Sequence, residues 1–541
     1  MTMRHRLTLH TMLERARRFF PDKEIVSRTD AGIFRYTYAD YYDRTRRLAA
    51  ALERLGVRRG DRVGTLAWNH HRHLEAYFAV PCMGASLHTV NLRLPPEHLA
   101  YVINHAGDRV LLVDADLVPL VEAVRPQLKT VEHYIIMADV SLPETRLSPV
   151  HGYEELLASA QEDYRFPEDV DEWAEAGICF SSATTGMPKG VCYAHRAIYL
   201  HSMMVCMADT VGVGERDVVM PVVPMFHVNA WGLPFAAVWM GAKQVLPGPR
   251  PDPHTLCRLI QDEKVTLAAG VPTVWMGVLQ AVEQERYDLS SITRIACGGA
   301  APPRALIEAY ELKLGVPFLH AYGMTEGAPV THVGRLKSTL EGAPTDQRYA
   351  KKAKQGLLAP GLDMKVVDAE GNEVAWDGRS MGEMALRGPW IADAYYDDGR
   401  TAETFRDGWY YTGDVVTVDP DGYMQIVDRV KDLVKSGGEW ISSVDLENAI
   451  MAHPKVAEAA VVAVYHPKWQ ERPLACVVPK PGVELTGEEI KEFLKGRVAD
   501  WWIPDDVVFI PEVPKTSVGK FDKKVLRTQY WNHLAQQQTM P

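Results

Sequence analysis

The chain has 541 residues, 47% of them hydrophobic and 24% charged, with a formal net charge of −11. That length exceeds one compact core and implies two or more domains, and the composition is that of a soluble globular protein. The acidic balance argues against a nucleic-acid binder, which would carry a basic patch, although a phosphate site needs only its own local donors.

The first segment, MTMRHRLTLHTMLERARRFF, has basic residues but no continuous apolar core or cleavage-like site. No stretch approaches the roughly 20 apolar residues that cross a bilayer, so a cytoplasmic protein without a transmembrane segment is expected. Cys82, Cys179, Cys192, Cys206, Cys257, Cys297 and Cys476 are scattered without a C-x-x-C pair, which predicts reduced thiols used as small core residues. Thr37 is placed to cap a helix with Leu48, Leu52 and Leu55 on one face and Gly56 as its stop. RVGTLAW (62–68) reads as a strand. The HHRH cluster after it (70–73) reads as a helix start with solvent-facing histidines, because no acidic or cysteine partner has ligand spacing nearby.

RVLLVDAD, HYIIMAD, DVVMPVVPM and VTLAAGVP continue the strand pattern, with helical segments such as PDPHTLCRLIQDEK between them. Doubly apolar strands alternating with helices indicate parallel sheets covered on both faces. From about Gly361, short alternating runs separated by Asp-Gly and Gly-Asn turns predict a small antiparallel β unit. After Arg429 a glycine-marked segment leads into two helix patterns and two strands. The expected fold is therefore α/β. A large N-terminal domain (1–430) holds two helix-covered, mostly parallel sheets and a β-barrel-like unit at about 356–430. A small α+β C-terminal domain spans 431–541.

The stretch FSSATTGMPKGV (180–191) gathers hydroxyls, glycines and a lysine after the strand-like GICF. It fails the G-x-x-x-x-G-K-[ST] pattern, because Gly190 follows Lys189 and Pro188 precedes it. The ingredients still suit a phosphate: hydroxyls from Ser181, Ser182, Thr184 and Thr185, backbone N–H groups around Gly186, and the Lys189 ammonium. A Ser/Thr/Gly run alone is as often a solvated loop.

S-x-T-T-G-x-P-K-G resembles the signature of the adenylate-forming superfamily, with Ala183 in place of that family's first glycine. Further segments resemble the family's motifs in the expected order. PMFHVNAW (224–231) resembles the acyl-site motif, which implies His227 beside the substrate carboxylate. CGGAAPP (297–303) resembles the adenine-binding turn, implying Gly298, Gly299 and Ala300 against the base. In HAYGMTE (320–326) the resemblance implies Tyr322 stacked on adenine, flanked by Gly323 and Met324, with Thr325 on the α-phosphate. Glu326, together with Thr184, would hold Mg²⁺. YYTGD (410–414) and DRVKD (428–432) imply Asp414 and Arg429 at the ribose, and Lys431 as the hinge. The segment containing Lys435, Gly437, Gly438, Glu439 and Trp440 would line the thiol's approach, and PKTSVGK (514–520) implies Lys520 bridging the carboxylate and the α-phosphate.

The resemblance implies that a carboxylic acid attacks ATP to give acyl-AMP and pyrophosphate, with transfer to coenzyme A in a second step. Thr184, Glu326 and Lys520 would neutralise the charge developing at the α-phosphorus. The C-terminal runs SGGEWISSVDLEN and HPKWQERPLA resemble the fatty-acid branch, with Lys468 and Arg472 as candidate coenzyme A contacts. The apolar surroundings expected for the acyl pocket (Trp231, Val271, Trp275, Ala321) suit a medium- or long-chain fatty acid, and Trp231 and Trp275 could line or block its tunnel. A short or sulfur-containing acid such as 3-methylthiopropanoate, an acyl-AMP-forming enzyme without transfer to coenzyme A, and an adenylation-defective nucleotide binder remain as alternatives. The charged N-terminus resembles that of members that dimerise through it. Ala183 is expected to tune the rate of the loop, since it removes no donor.

Overall fold

The structure is a computed structural model and describes residues 4–181, 186–437, 439–515 and 521–534, without the Glu439 side chain. Of the expected site residues, Ser182, Thr184, Thr185, Gly438 and Lys520, and also Ala183, lie outside the described residues.

Two large sheets form the body. One has seven strands in the order Val150–Gly152, His133–Met137, Asp108–Asp114, Arg62–Leu66, Ser86–Thr89, Glu175–Phe180 and Gly190–Ala194, parallel except for the last. The other has nine, with a parallel centre in the order Phe318–Gly323, Arg294–Cys297, Leu267–Gly270, Val218–Pro221, Lys243–Leu246, Glu24–Thr29. Strands such as Leu267–Gly270 and Ser86–Thr89 are buried at every position, as expected of parallel sheets covered by helices.

Local signals account for many elements. Thr37 caps helix Tyr38–Arg54 in a capping box with Asp40, and Gly56 beyond its end takes φ +94. All seven cysteines are free thiols. The predicted antiparallel unit is a five-stranded sheet built from Asp363–Val367, Gly382–Arg387, Phe405–Arg406, Trp409–Val418 and Met424–Arg429. A separate five-stranded sheet follows, dominated by the antiparallel pair Val456–His466 and Gln470–Pro479.

The HHRH expectation is half corrected. His70 caps helix His71–Cys82 as read, but His70, His71, Arg72 and His73 are all buried. Helix His71–Cys82 is buried all round: His70 Nε2 meets Asp114 Oδ1 at 2.7 Å, His73 Nε2 meets Thr65 Oγ1 at 3.0 Å, and the His71 ring stacks on Phe34. Burial lowers the His73 pKa to about 3, keeping the ring neutral.

Candidate active site

Strands Val218–Pro221, Leu267–Gly270, Arg294–Cys297 and Phe318–Gly323 lie side by side and parallel. At and beyond their carboxyl ends run segments 224–231, 271–275, 298–300 and 322–326, all expected from sequence to bind. In open parallel sheets that crevice is where ligands bind.

After His227 the chain makes a left-handed turn. Val228, Asn229, Ala230, Trp231 and Gly232 all have positive φ, between 40° and 75°. Each non-glycine residue there costs about 1 kcal/mol, and such strain persists only where neighbours over-determine it. Here the Asn229 side chain accepts from Thr89 Oγ1 at 3.4 Å and Cys179 Sγ at 3.6 Å. Asn69 braces the segment just ahead of the turn, donating to the Pro221 and Val223 carbonyls at 2.8 Å each and accepting from Met225 N. Gly232 fits against His201: a Cβ there would stand 2.7 Å from the imidazole. The turn sends the Trp231 indole toward the glycine turn that follows strand Arg294–Cys297. A Cβ on Gly298 would lie 3.2 Å from that ring, and one on Gly299 would lie 3.2 Å from Val271 Cγ1.

Gly299, Ala300 and Gly323 are exposed while Gly298 is buried, so the turn offers a bare backbone ledge. Ala321, whose carbonyl would sit 2.5 Å from a Gly298 Cβ, walls its inner side. Trp231, Val271, Ala321 and the glycines therefore converge. Trp275 does not join them. It is fully buried, packs edge-on to Tyr310 and donates its indole N–H to the Gly270 carbonyl at 3.1 Å within the core beneath helix Pro272–Gln284.

The phosphate-loop candidate is the connection of an edge hairpin, with Phe180 and Gly190 in register at its mouth. Ser181 N donates to the Lys189 carbonyl at 2.9 Å and Lys189 N to Ser181 Oγ at 3.2 Å, pinching the loop's base. Gly186 takes φ +73. The Lys189 ammonium stands 4.3 Å from the centre of the Tyr395 ring, and its pKa is lowered by burial and then by the Arg400 charge. Tyr395 itself donates to Glu326 Oε1 at 2.7 Å, and Tyr193 donates to the Thr325 carbonyl at 2.6 Å. Lys189, Thr325 and Glu326 are thus tied together, although they come from different sheets. Sequence reasoning passed over Tyr193 and Tyr395. The paired tyrosines before an acidic run in ADAYYDDGR were the only local mark of the second.

Asp414 and Arg429 face each other across the antiparallel pair Trp409–Val418 and Met424–Arg429, and Arg429 Nε meets Asp414 Oδ1 at 2.6 Å. The Tyr322 hydroxyl donates to Asp414 Oδ2. This pair raises the Arg429 pKa, with Asp414 as the leading cause, and burial beside Asp414 raises that of Tyr322. The ring expected to stack on adenine and the carboxylate expected at the ribose are therefore already one hydrogen-bonded unit.

Lys435, Gly437 and Trp440 belong to the second five-stranded sheet. Lys435 is exposed, Gly437 (φ +60) lies against the Trp469 ring, and Trp440 packs beside Val415, Val427 and Leu433. Arg472, read as a candidate coenzyme A contact, is a strut: it meets Asp505 Oδ1 at 2.7 Å, Ser436 Oγ at 3.1 Å and the Trp501 carbonyl at 2.8 Å. Among the described residues, no cluster of three or more His, Cys, Asp or Glu could hold a metal alone. A Mg²⁺ ion suits Glu326 all the same, since a hard cation takes one carboxylate and fills its shell from phosphates and water.

Residues 13–396 match the AMP-binding enzyme family, and residues 445–520 match the AMP-binding enzyme C-terminal domain. The chain is 51% identical over 535 residues to a long-chain-fatty-acid–CoA ligase of Thermus thermophilus, covering 98% of this chain and 97% of that protein. It is 43% identical over 528 residues to a 3-methylmercaptopropionyl-CoA ligase of Ruegeria lacuscaerulensis, covering 97% of each. A solved anthranilate CoA ligase in complex with anthranoyl-AMP superposes with a TM-score of 0.83 at 25% identity, covering 98% of this chain and 99% of that one.

Proposed function

The chain belongs to the AMP-binding enzyme family, and from that premise we propose how its site activates a fatty acid. It is an AMP-forming acyl-CoA synthetase that takes ATP, coenzyme A and a carboxylic acid as substrates and Mg²⁺ as its ion. The convergence of Lys189, Glu326 and the Tyr322–Asp414–Arg429 unit at the carboxyl ends of the parallel strands carries the reading of the site.

Adenine lies on the ledge of Gly298, Gly299 and Ala300 against Tyr322, with Gly323 and Met324 at its edge. The ribose hydroxyls reach Asp414, whose charge Arg429 balances. The Thr325 segment faces the α-phosphate, and Lys189 with Gly186 and Ser181 takes the β- and γ-phosphates. Glu326, oriented by Tyr395, would hold Mg²⁺, which would supply charge withdrawal from the phosphate oxygens. The acid needs no general base, because a carboxylate is already ionised at neutral pH. Catalysis then rests on neutralising the charge that develops at the α-phosphorus in a preorganised site. His227 borders the acid's carboxylate. The chain of the acid runs between Trp231, Val271 and Ala321, whose apolar faces favour a medium- or long-chain fatty acid.

In the second half-reaction residues 431–541 turn about Lys431, bringing the segment of Lys435, Gly437 and Trp440 to the thiol's path. Among the described residues no helix is long and apolar enough to cross a membrane, and a cytoplasmic homodimer is part of the proposal. Coenzyme A-dependent AMP release across acids of increasing length tests the reading. A rise toward medium and long chains supports it. A maximum at 3-methylthiopropanoate would transfer the site to short sulfur-containing acids, and acyl-AMP that accumulates despite coenzyme A would remove the transfer step.

A further inference from the structure

The segment from Tyr395 to Arg400 is held against the phosphate loop. Tyr396 N donates to the Gly190 carbonyl at 2.8 Å, forming an isolated bridge at the loop's exit. Four residues on, Arg400 Nη1 and Nη2 each reach the Met187 carbonyl at 3.3 Å. A Cβ built on Gly186 would stand 3.5 Å from Nη1, so the guanidinium rests on the turn of the loop. Its plane is fixed from the other side. Asp398, whose side chain is only 9% exposed, accepts Arg400 Nε at 2.8 Å and Nη2 as well, and its Oδ1 also accepts the Arg400 backbone N–H at 2.9 Å. Asp398 takes the Nε/Nη2 edge and the Met187 carbonyl takes the Nη1/Nη2 edge, which fixes the cation against the loop and leaves the outer Nη1 N–H for a phosphate oxygen.

We propose that Arg400 is a second cation of the phosphate loop: it binds the β,γ end of ATP, and hence the pyrophosphate product, with Asp398 as the residue that aims it. The assignment rests on the adenylation reading given above. The electrostatics supply a separate reason. Arg400 and Lys189 repel one another, and Glu326, Asp398 and Glu403 offset this in part. Two cations held together in a half-buried site are unfavourable until a polyanion shares them, which turns the repulsion into selectivity for a highly charged ligand. AMP lacks the β- and γ-phosphates and would not meet Arg400.

That asymmetry sets the test. Full-length wild type, R400A, R400K and D398N are titrated by calorimetry with ATP, pyrophosphate and AMP in the presence of Mg²⁺. R400A should weaken ATP and pyrophosphate by about tenfold while AMP stays within about twofold, because one charge-assisted contact is lost. R400K, which keeps the charge but loses the planar contacts to Asp398 and Met187 that aim it, should lose about threefold on the same two ligands, and D398N should resemble R400K. Unchanged ATP and pyrophosphate affinities in R400A, or AMP weakened as much as ATP, overturn the assignment. Should R400A not fold, R400K decides by the same comparison. Wild type that binds no ATP at all would instead overturn the adenylation reading.

Discussion

Tyr395 donates its hydroxyl to Glu326 Oε1 at 2.7 Å, while the face of the same ring carries the Lys189 ammonium at 4.3 Å. One side chain thus sets the orientation of the proposed Mg²⁺ ligand and the position of the loop's lysine. Tyr395→Phe keeps the ring and removes only the hydrogen bond, worth about 1 kcal/mol net. The expected result is a roughly five- to tenfold slower pyrophosphate exchange, with a higher Mg²⁺ concentration at half-maximal rate. Exchange rates over a Mg²⁺ series measure both, and an unaltered Mg²⁺ dependence would separate Tyr395 from the ion.

Gly298 has no room for a side chain: its Cβ would lie 2.5 Å from the Ala321 carbonyl and 3.2 Å from the Trp231 ring. Gly298→Ala must push the glycine turn away from the neighbouring strand or displace Trp231. We expect destabilisation of about 1–3 kcal/mol and a raised KM for both ATP and the acid, since the proposed adenine and acyl sites adjoin at this turn. Thermal melting and steady-state kinetics check this. A variant impaired for ATP alone would place Trp231 outside the acyl pocket.

What was legible in the sequence was what local pattern determines. Small hydroxylated residues and glycines between two apolar runs marked the hairpin connection after Phe180, and Asp414 and Arg429 stood in segments that became opposed strands. What was not legible depended on contacts distant along the chain. The histidines of HHRH look solvent-facing by residue type, yet their helix is buried all round. Trp275 falls within a segment leaving a binding strand, but its position on helix Pro272–Gln284 turns it into the core beside Tyr310. Tyr395 meets Glu326 across 69 positions and Arg400 meets Met187 across 213, separations that no local periodicity reports.

His201 links acid sensitivity to the strained turn. It is 1% exposed, its Nε2 accepts the Val330 N–H at 3.1 Å, and its ring fills the space beside Gly232. An accepting Nε2 is unprotonated, and burial lowers the pKa to about 3. The unfolded chain binds the proton first, at a pKa of about 6.5, so this contribution to stability is complete above that pH and lost as pH falls toward 3. At pH 5 the loss is about 2 kcal/mol for this group. His201→Gln keeps an acceptor but no titration, so the pH 7 to pH 5 difference in unfolding free energy should shrink by about that amount. Urea unfolding at the two pH values measures it, and an equal difference in both proteins would place the acid sensitivity at other buried histidines such as His73 and His332.

Lys431 stands between two structured pieces: Val430 N donates to the Gly413 carbonyl at 2.9 Å, and Asp432 N and Leu433 N both donate to the Arg429 carbonyl at 2.8 Å. If residues 431–541 turn about this point between the half-reactions, the backbone at 431 must change its torsions. Proline fixes φ near −65° and drives the preceding residue toward extended conformations. Lys431→Pro should therefore leave acyl-AMP formation within about threefold of wild type while slowing transfer to coenzyme A by at least about tenfold. Pyrophosphate exchange reports the first step, and single-turnover consumption of preformed acyl-AMP on mixing with coenzyme A reports the second. Equal losses in both would mean that the backbone at 431 supports the site as a whole and that the rotation, if it occurs, pivots elsewhere.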